Sequence, residues 1–97
     1  MYLTSKQRAT LKSVAGKCEV LFQIGKGGIN DNLVKAASDA LNARELIKLS
    51  VLKSCPLSPS EALSELAGKL SAQPVCAIGS RIVMYRYSEN VAEHIRL

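Results

Sequence analysis

The sequence predicts an α/β domain with the element order α-β-α-β-α-β-β and a four-stranded mixed sheet. Three observations lead to this class: three segments have the apolar spacing of amphipathic helices, β-branched or alternating runs separate them, and a Gly-Ser pair divides the last two runs. Strand-helix-strand units require parallel strands and right-handed crossovers, whereas a two-residue turn joins antiparallel strands. The sheet is therefore expected to contain both kinds of strand, in a two-layer or sandwich domain.

Each predicted helix begins at a recognisable cap. Thr4 and Gln7 have the spacing of a capping box, and Ser58 and Glu61 repeat it around a proline at the first helical position. The second helix follows Asn30 and Asp31, which both suit an N-cap. We predict helices over 4–16, from 30 or 31 to about 44, and from 58 to about 70.

Four runs have the character of strands. Val20 to Ile24 is β-branched and aromatic, and Phe22 within it is expected in the core. Leu46 to Leu52 alternates apolar residues with Lys48 and Ser50, which predicts one buried face and points Lys48 away from it. The last two strands are predicted over 75–78 and 81–87, joined by a tight hairpin at Gly79-Ser80.

Length and composition indicate one domain, which we place at 1–88, followed by a polar tail at 89–97 that contains the lone His94. The chain has 97 residues, of which 47% are apolar, as in ordinary globular proteins. No run approaches the roughly 20 apolar residues that cross a bilayer, and no apolar block follows Met1, so we expect a cytoplasmic protein without membrane contact. We also expect a monomer. Three cysteines without a Cys-x-x-Cys pair predict small apolar side chains that are buried or half-buried, and no metal or cofactor.

Positive charge is concentrated in the N-terminal third. Residues 1–35 contain six basic and two acidic residues and so account for most of the formal net charge of +5. Such clustering favours a polyanionic partner, because neutralised phosphates release condensed counterions. The candidate contacts on and after the first helix are Lys6, Arg8, Lys12 and Lys17.

A glycine-rich loop lies between the first strand and the second helix. Gly25, Lys26, Gly27 and Gly28 offer backbone that a ligand can approach closely, followed by the positive end of a helix dipole. The spacing fits neither a P-loop nor the dinucleotide pattern Gly-x-Gly-x-x-Gly. It does fit the Gly-x-x-Gly clamp that KH-type modules use against a nucleic-acid backbone. A plain strand-to-helix turn is the structural alternative.

Four blocks resemble the chloroplast RNA splicing and ribosome maturation (CRM) family, in particular its bacterial stand-alone YhbY-type members. The blocks cover Thr4–Arg8, Gln23–Asn32, Ala43–Lys48 and Ile78–Arg86, in that order. The resemblance implies an RNA-binding domain similar in fold to the C-terminal domain of translation initiation factor three. It also implies that Gly25–Gly28 contacts RNA, and that the partner is ribosomal RNA in precursors of the large (50S) subunit.

Four further residues each have two interpretations. Lys48 and Arg86 either extend the basic surface or protect strand edges. Tyr85 and Tyr87 either stack on bases or, as we favour, pack in the core.

Scattered acids and one histidine provide no catalytic set, so we expect no enzyme. A protein-interaction adaptor that docks on a ribosomal or GTPase partner is the alternative function; DNA binding is disfavoured, because no base-reading helix is evident.

Overall fold

The computed structural model describes residues 3–89 and 91, and its elements follow the predicted order. The helices are α1 (Ser5–Ala15), α2 (Asp31–Arg44) and α3 (Pro59–Leu70); the strands are β1 (Phe22–Ile24), β2 (Leu46–Val51), β3 (Gln73–Ile78) and β4 (Arg81–Tyr85). All three predicted N-caps are confirmed: Thr4, Asn30 and Ser58 each accept a hydrogen bond from the backbone of the first turn. His94 and most of the predicted tail lie outside the described residues.

The four strands form one mixed sheet in the order β1-β2-β4-β3. β1 pairs with β2 in parallel, and β4 pairs antiparallel with both β2 and β3. The crossover through α3 therefore leaves room for one strand between β2 and β3. The hairpin at Gly79-Ser80 reverses the chain, so that β4 occupies this position. Gly79 has a φ of +58°, as the first central residue of a type II′ turn requires.

The main core lies between the sheet and the pair α2 and α3. Leu49, Leu66, Ile82 and Met84 are completely buried there, and Phe22 packs against this cluster with its side chain only half-buried. Phe22 thus packs with the core, as the sequence predicts, and its partial exposure follows from the edge position of β1, because an edge strand has a neighbour on one side only.

A second, smaller core lies on the opposite face of the sheet, under α1. Leu11 and Ala15 of α1 pack there against Leu46 and Val83. The prediction of one buried face for β2 is therefore incomplete, because α1 covers its other face and the domain has three layers. Within residues 3–89 and 91, no helix combines the length and apolar character needed to cross a membrane.

Candidate nucleic-acid interface

The glycine-rich loop is a β-turn at the end of β1. The amide of Gly28 donates to the carbonyl of Gly25 over 2.9 Å, so Lys26 and Gly27 occupy the two central positions. Both of these residues are exposed, and neither has a positive φ; only Gly28 does, at +63°. The turn therefore presents the side chain of Lys26 and the bare backbone of Gly27 to solvent.

Space around Gly27 is open on the outer side of the turn. A Cβ at this position would have Asn30 Nδ2 as its nearest neighbour, at 3.7 Å, which is an ordinary contact. Gly28 is different, since its left-handed backbone is strained for other residues and a Cβ would lie 3.6 Å from Pro56 Cγ. The fold therefore explains glycine at position 28, whereas nothing within the fold requires it at position 27.

At the start of α2, side chains of the chain itself already take part of the place that an anion could bind. Asn30 Oδ1 accepts a hydrogen bond from the Leu33 amide at 2.8 Å, and the exposed carboxylate of Asp31 lies in the first helical turn. A negative charge at this position already complements the helix dipole. The turn of Lys26 and Gly27, rather than the helix end, is consequently the part of the loop best suited to a phosphate.

The segment that follows β2 lies against the glycine turn and contains a further lysine. A Cβ at Gly25 would lie 3.6 Å from Leu52 Cδ1 and 3.7 Å from Ser54 Oγ. Lys53, between these two residues, is exposed. Sequence reasoning missed Lys53, because it is 27 positions after Lys26 in the chain and only the parallel pairing of β1 with β2 places the two segments together.

The candidate cations of the first helix are exposed, but they are spread along it. Lys6, Arg8, Lys12 and Lys17 are all solvent-accessible. Lys12 lies in the last turn, beside Arg81 at the start of β4. Lys6 is six residues earlier, about 9 Å further along the axis at 1.5 Å per residue. The structure thus brings Lys12, but not Lys6, together with the hairpin end of the sheet.

Lys48 lies under the end of α1 and has a structural role. Its ammonium donates to the carbonyls of Ala15, at 3.3 Å, and Cys18, at 3.5 Å. Ala15 is the last residue of α1 and Cys18 lies three residues beyond it, so Lys48 ties β2 to the end of α1 and to the segment that follows it. Lys48 points away from the main core, as predicted, but it is half-buried in the second core.

Arg86 also makes contacts within the fold. Its guanidinium donates to the Leu70 carbonyl at 2.9 Å, to the carbonyl and hydroxyl of Ser38 at 2.9 and 3.1 Å, and to Asn42 Oδ1 at 3.0 Å. These bonds tie the segment after β4 to both α2 and α3. The geometry favours a structural role for Arg86 over a place in the basic surface.

The two tyrosines near the end of β4 have different environments. Tyr85 is 2% exposed in the second core, whereas Tyr87, beyond the strand, is 55% exposed. Core packing is therefore confirmed for Tyr85 and is wrong for Tyr87. The pKa of Tyr85 is raised mainly by burial, and the charges of Glu45 and Tyr87 raise it further.

Over the described part of the chain, no group of three or more His, Cys, Asp or Glu side chains is placed to hold a metal ion. Cys18, Cys55 and Cys76 are half-buried free thiols, as the sequence predicts. The candidate site consists of an exposed glycine turn that contains Lys26, next to the segment of Lys53.

These features define a class of protein: a small three-layer α/β domain whose exposed Gly-x-x-Gly turn follows an edge strand, as in modules that clamp a nucleic-acid backbone. The family model described as the CRS1 / YhbY (CRM) domain matches residues 3–86, and the chain belongs to this family. The resemblance in the four sequence blocks is therefore confirmed.

Known relatives agree with this assignment. The chain is 44% identical over 87 residues to "Probable RNA-binding protein YqeI" of Bacillus subtilis, with 90% of this chain and 91% of the relative covered. It is 29% identical over 87 residues to an "RNA-binding protein" of Haemophilus influenzae, covering 90% and 88%. The solution structure of the hypothetical protein SAV1595 from Staphylococcus aureus matches with a TM-score of 0.75, at 43% identity and 99% coverage of both chains. This last match confirms the fold class.

Proposed function

We propose that this domain binds structured ribosomal RNA in precursors of the large ribosomal subunit and acts there as a cytoplasmic assembly factor. Membership of the CRM family and the names of two bacterial relatives support RNA binding. The observation that carries the proposal is the exposed turn at Lys26 and Gly27, with its backbone open to solvent.

The turn combines the two properties that a phosphate-binding backbone needs. Gly27 has no side chain, so a sugar-phosphate strand can approach its backbone within hydrogen-bond distance. Lys26 adds a flexible ammonium that binds a phosphate as a point charge. Neither contact reads a base, and selectivity for sequence is therefore expected to be low.

The proposed interface extends from the turn along one end of the sheet. Lys53 lies beside the turn, and Arg81 begins β4 at the same end, since it pairs with Ser50 near the end of β2. Lys12 and Lys17, at the end of α1, continue the surface, and Lys6 and Arg8 are its outer part. We leave Lys48 and Arg86 out, because the fold already uses their donors.

In this proposal the domain holds or positions RNA and performs no chemical step itself. Any cleavage or modification of the RNA would be carried out by an associated enzyme. This role is consistent with the surface at the turn, which is rich in lysine and glycine and lacks the nucleophile-base pair that hydrolysis or transfer requires.

Substitution of Gly27 tests the turn most specifically. A methyl group at Gly27→Ala meets no close neighbour within the domain, so the fold should be unchanged while a bound backbone is held away. We expect affinity for a ribosomal RNA fragment to fall on the order of tenfold, or about 1.4 kcal/mol. Gly68→Ala, on the exposed side of α3, is the matched control. Equal affinities of wild type and Gly27→Ala would rule out close approach of RNA at the turn.

The adaptor alternative requires a separate experiment. Cell extract is sedimented through a sucrose gradient with and without prior RNase treatment, and the fractions that contain the domain are compared. We expect RNase to release the domain from the large-subunit precursor fractions. Co-migration with a single ribosomal protein after RNase treatment would favour the adaptor instead.

A further inference from the structure

A cleft of about 300 Å³ lies between the last turn of α1 and the hairpin that joins β3 to β4. Its apolar floor includes Ala15, Cys76 and Val83, and Ile78 also lines the cleft. Ile78 is 55% exposed, which among the large apolar side chains of the described residues is equalled only by Tyr87. An exposed isoleucine beside a concave apolar floor indicates a surface that a flat apolar group could cover.

Three cations surround this floor. Lys12 comes from α1, Lys48 from β2 and Arg81 from β4, and among the described residues that line the cleft none is acidic. The ammonium of Lys48 already donates to the carbonyls of Ala15 and Cys18, whereas Lys12 and Arg81 are exposed. The charge complements a ligand that carries negative groups on either side of an apolar part.

The cleft and the glycine turn lie at the same end of the sheet. Ile24, the last residue of β1, pairs with Val51, and the Val51 amide donates to the carbonyl of Ser80 in the hairpin over 2.6 Å. The glycine turn and the hairpin are therefore about two strand spacings apart, roughly 10 Å. A single RNA strand can span this distance and contact both.

We propose that this cleft is a subsite for one unpaired nucleotide of the bound RNA, an inference that rests on the proposed RNA-binding function. The base would cover Ile78 and the apolar floor, and the adjoining phosphates would face Lys12 and Arg81. Arginine adds a planar group on which a base can stack.

The shape and chemistry of the cleft favour an unpaired nucleotide over a paired one. Bases in a duplex are stacked inside the helix, and a duplex would place only phosphates and sugars against an apolar floor. An unpaired base brings its own flat apolar face, and its contacts with side chains do not depend strongly on which base it is. The proposal thus predicts a preference for loops or bulges within structured RNA.

The test compares two oligonucleotides that differ only in their bases. One is hexaadenylate, and the other is an abasic hexamer with the same sugar-phosphate backbone; binding to each is followed by fluorescence anisotropy and by the NMR signal of the Ile78 δ1 methyl group. We expect hexaadenylate to bind more tightly and to shift the methyl signal, and the abasic oligomer to leave that signal unchanged. Ile78→Thr should weaken hexaadenylate binding about fivefold and leave abasic binding as in wild type.

Lys26→Ala separates this inference from the function on which it rests. The variant should weaken both oligomers to the same extent, because it removes a backbone contact. If wild type binds both oligomers equally and Lys26→Ala weakens both, the nucleotide subsite is wrong and the RNA-binding proposal stands. If neither oligomer binds wild type but a ribosomal RNA fragment does, the subsite is wrong and the RNA-binding proposal stands; if the fragment does not bind either, both are overturned. An equal shift of the Ile78 methyl signal by inorganic phosphate would make the cleft an anion site only and would also overturn the subsite.

Discussion

Removal of the Arg86 side chain should destabilise the domain without changing how the folded domain binds RNA. Four hydrogen bonds join its guanidinium to α2 and to the end of α3, at 2.9–3.1 Å. The Leu70 carbonyl is the acceptor of greatest interest, since it lies at the helix end, where intrahelical partners are missing.

The expected loss follows from the number and kind of these bonds. A hydrogen bond from a charged donor contributes about 1.5–3 kcal/mol, but the acceptors near the surface can regain water when the side chain is removed. We therefore expect Arg86→Ala to lower the free energy of unfolding by about 2–4 kcal/mol, a large part of the roughly 5–15 kcal/mol typical of a domain. Arg86→Lys should recover only part of the loss, because an ammonium cannot reach all the acceptors in the guanidinium's planar geometry.

Urea denaturation followed by circular dichroism measures the effect. With a slope of about 1.5 kcal/mol per M, the midpoint should fall by about 1.3–2.7 M. Arg81→Ala, on the exposed start of β4, is the control and should change stability by no more than about 0.5 kcal/mol. RNA affinity of folded Arg86→Ala should remain within about twofold of wild type. An unchanged midpoint together with weaker RNA binding would refute the structural role and return Arg86 to the interface.

Two further predictions concern stability. Gly68→Ala should raise the free energy of unfolding by about 0.5–1 kcal/mol in thermal or urea denaturation, because Gly68 is helical and a Cβ there meets nothing within 4 Å. A destabilised variant would contradict the open space beside Gly68. Tyr85 should make the wild type less stable at alkaline pH, because its pKa is raised in the folded state. Its stabilising effect is complete below the unfolded pKa of about 10 and is lost as pH rises through the folded pKa. Tyr85→Phe should therefore show a shallower alkaline loss of stability, and parallel curves for the two proteins would contradict the raised pKa.

The elements that the sequence predicts best are those determined by local interactions. The helices begin at the predicted caps because Thr4, Asn30 and Ser58 bond to backbone amides only three residues away. The hairpin at Gly79-Ser80 is local in the same sense, since the left-handed backbone of Gly79 forms the turn. Such features depend on neighbours in the chain, and a single sequence displays them.

The order of the strands and the role of Arg86 depend on contacts that are distant in the chain. β4 pairs with β2 although α3 and β3 lie between them. Arg86 contacts Ser38, 48 positions earlier, and the backbone amide of Ser88 donates to the buried carboxylate of Glu45. No periodicity signals these pairings, so the sequence placed Arg86 on the surface.

The sequence locates the glycine turn of the candidate site, but not the side chains that the fold brings near it. Gly25–Gly28 is recognisable because it lies between a predicted strand and a predicted helix and within a block that resembles the CRM family. Lys53 was missed and Lys48 was overvalued for the same reason: the position of a lysine relative to the turn is set by strand pairing and by the packing of α1. These are tertiary effects, which the spacing of residues along the chain does not record.

The salt dependence of RNA binding by Lys26→Ala decides whether the glycine turn contacts phosphates of the RNA. Affinity for a ribosomal RNA fragment is measured at several salt concentrations for wild type, Lys26→Ala and the control Lys69→Ala, whose lysine is exposed in the last turn of α3. Each neutralised phosphate contributes about 0.7–0.9 to the slope of log K against log salt. We predict a slope reduced by roughly one unit for Lys26→Ala and unchanged for Lys69→Ala. A slope for Lys26→Ala equal to that of wild type would contradict the claim that the glycine turn contacts the RNA backbone.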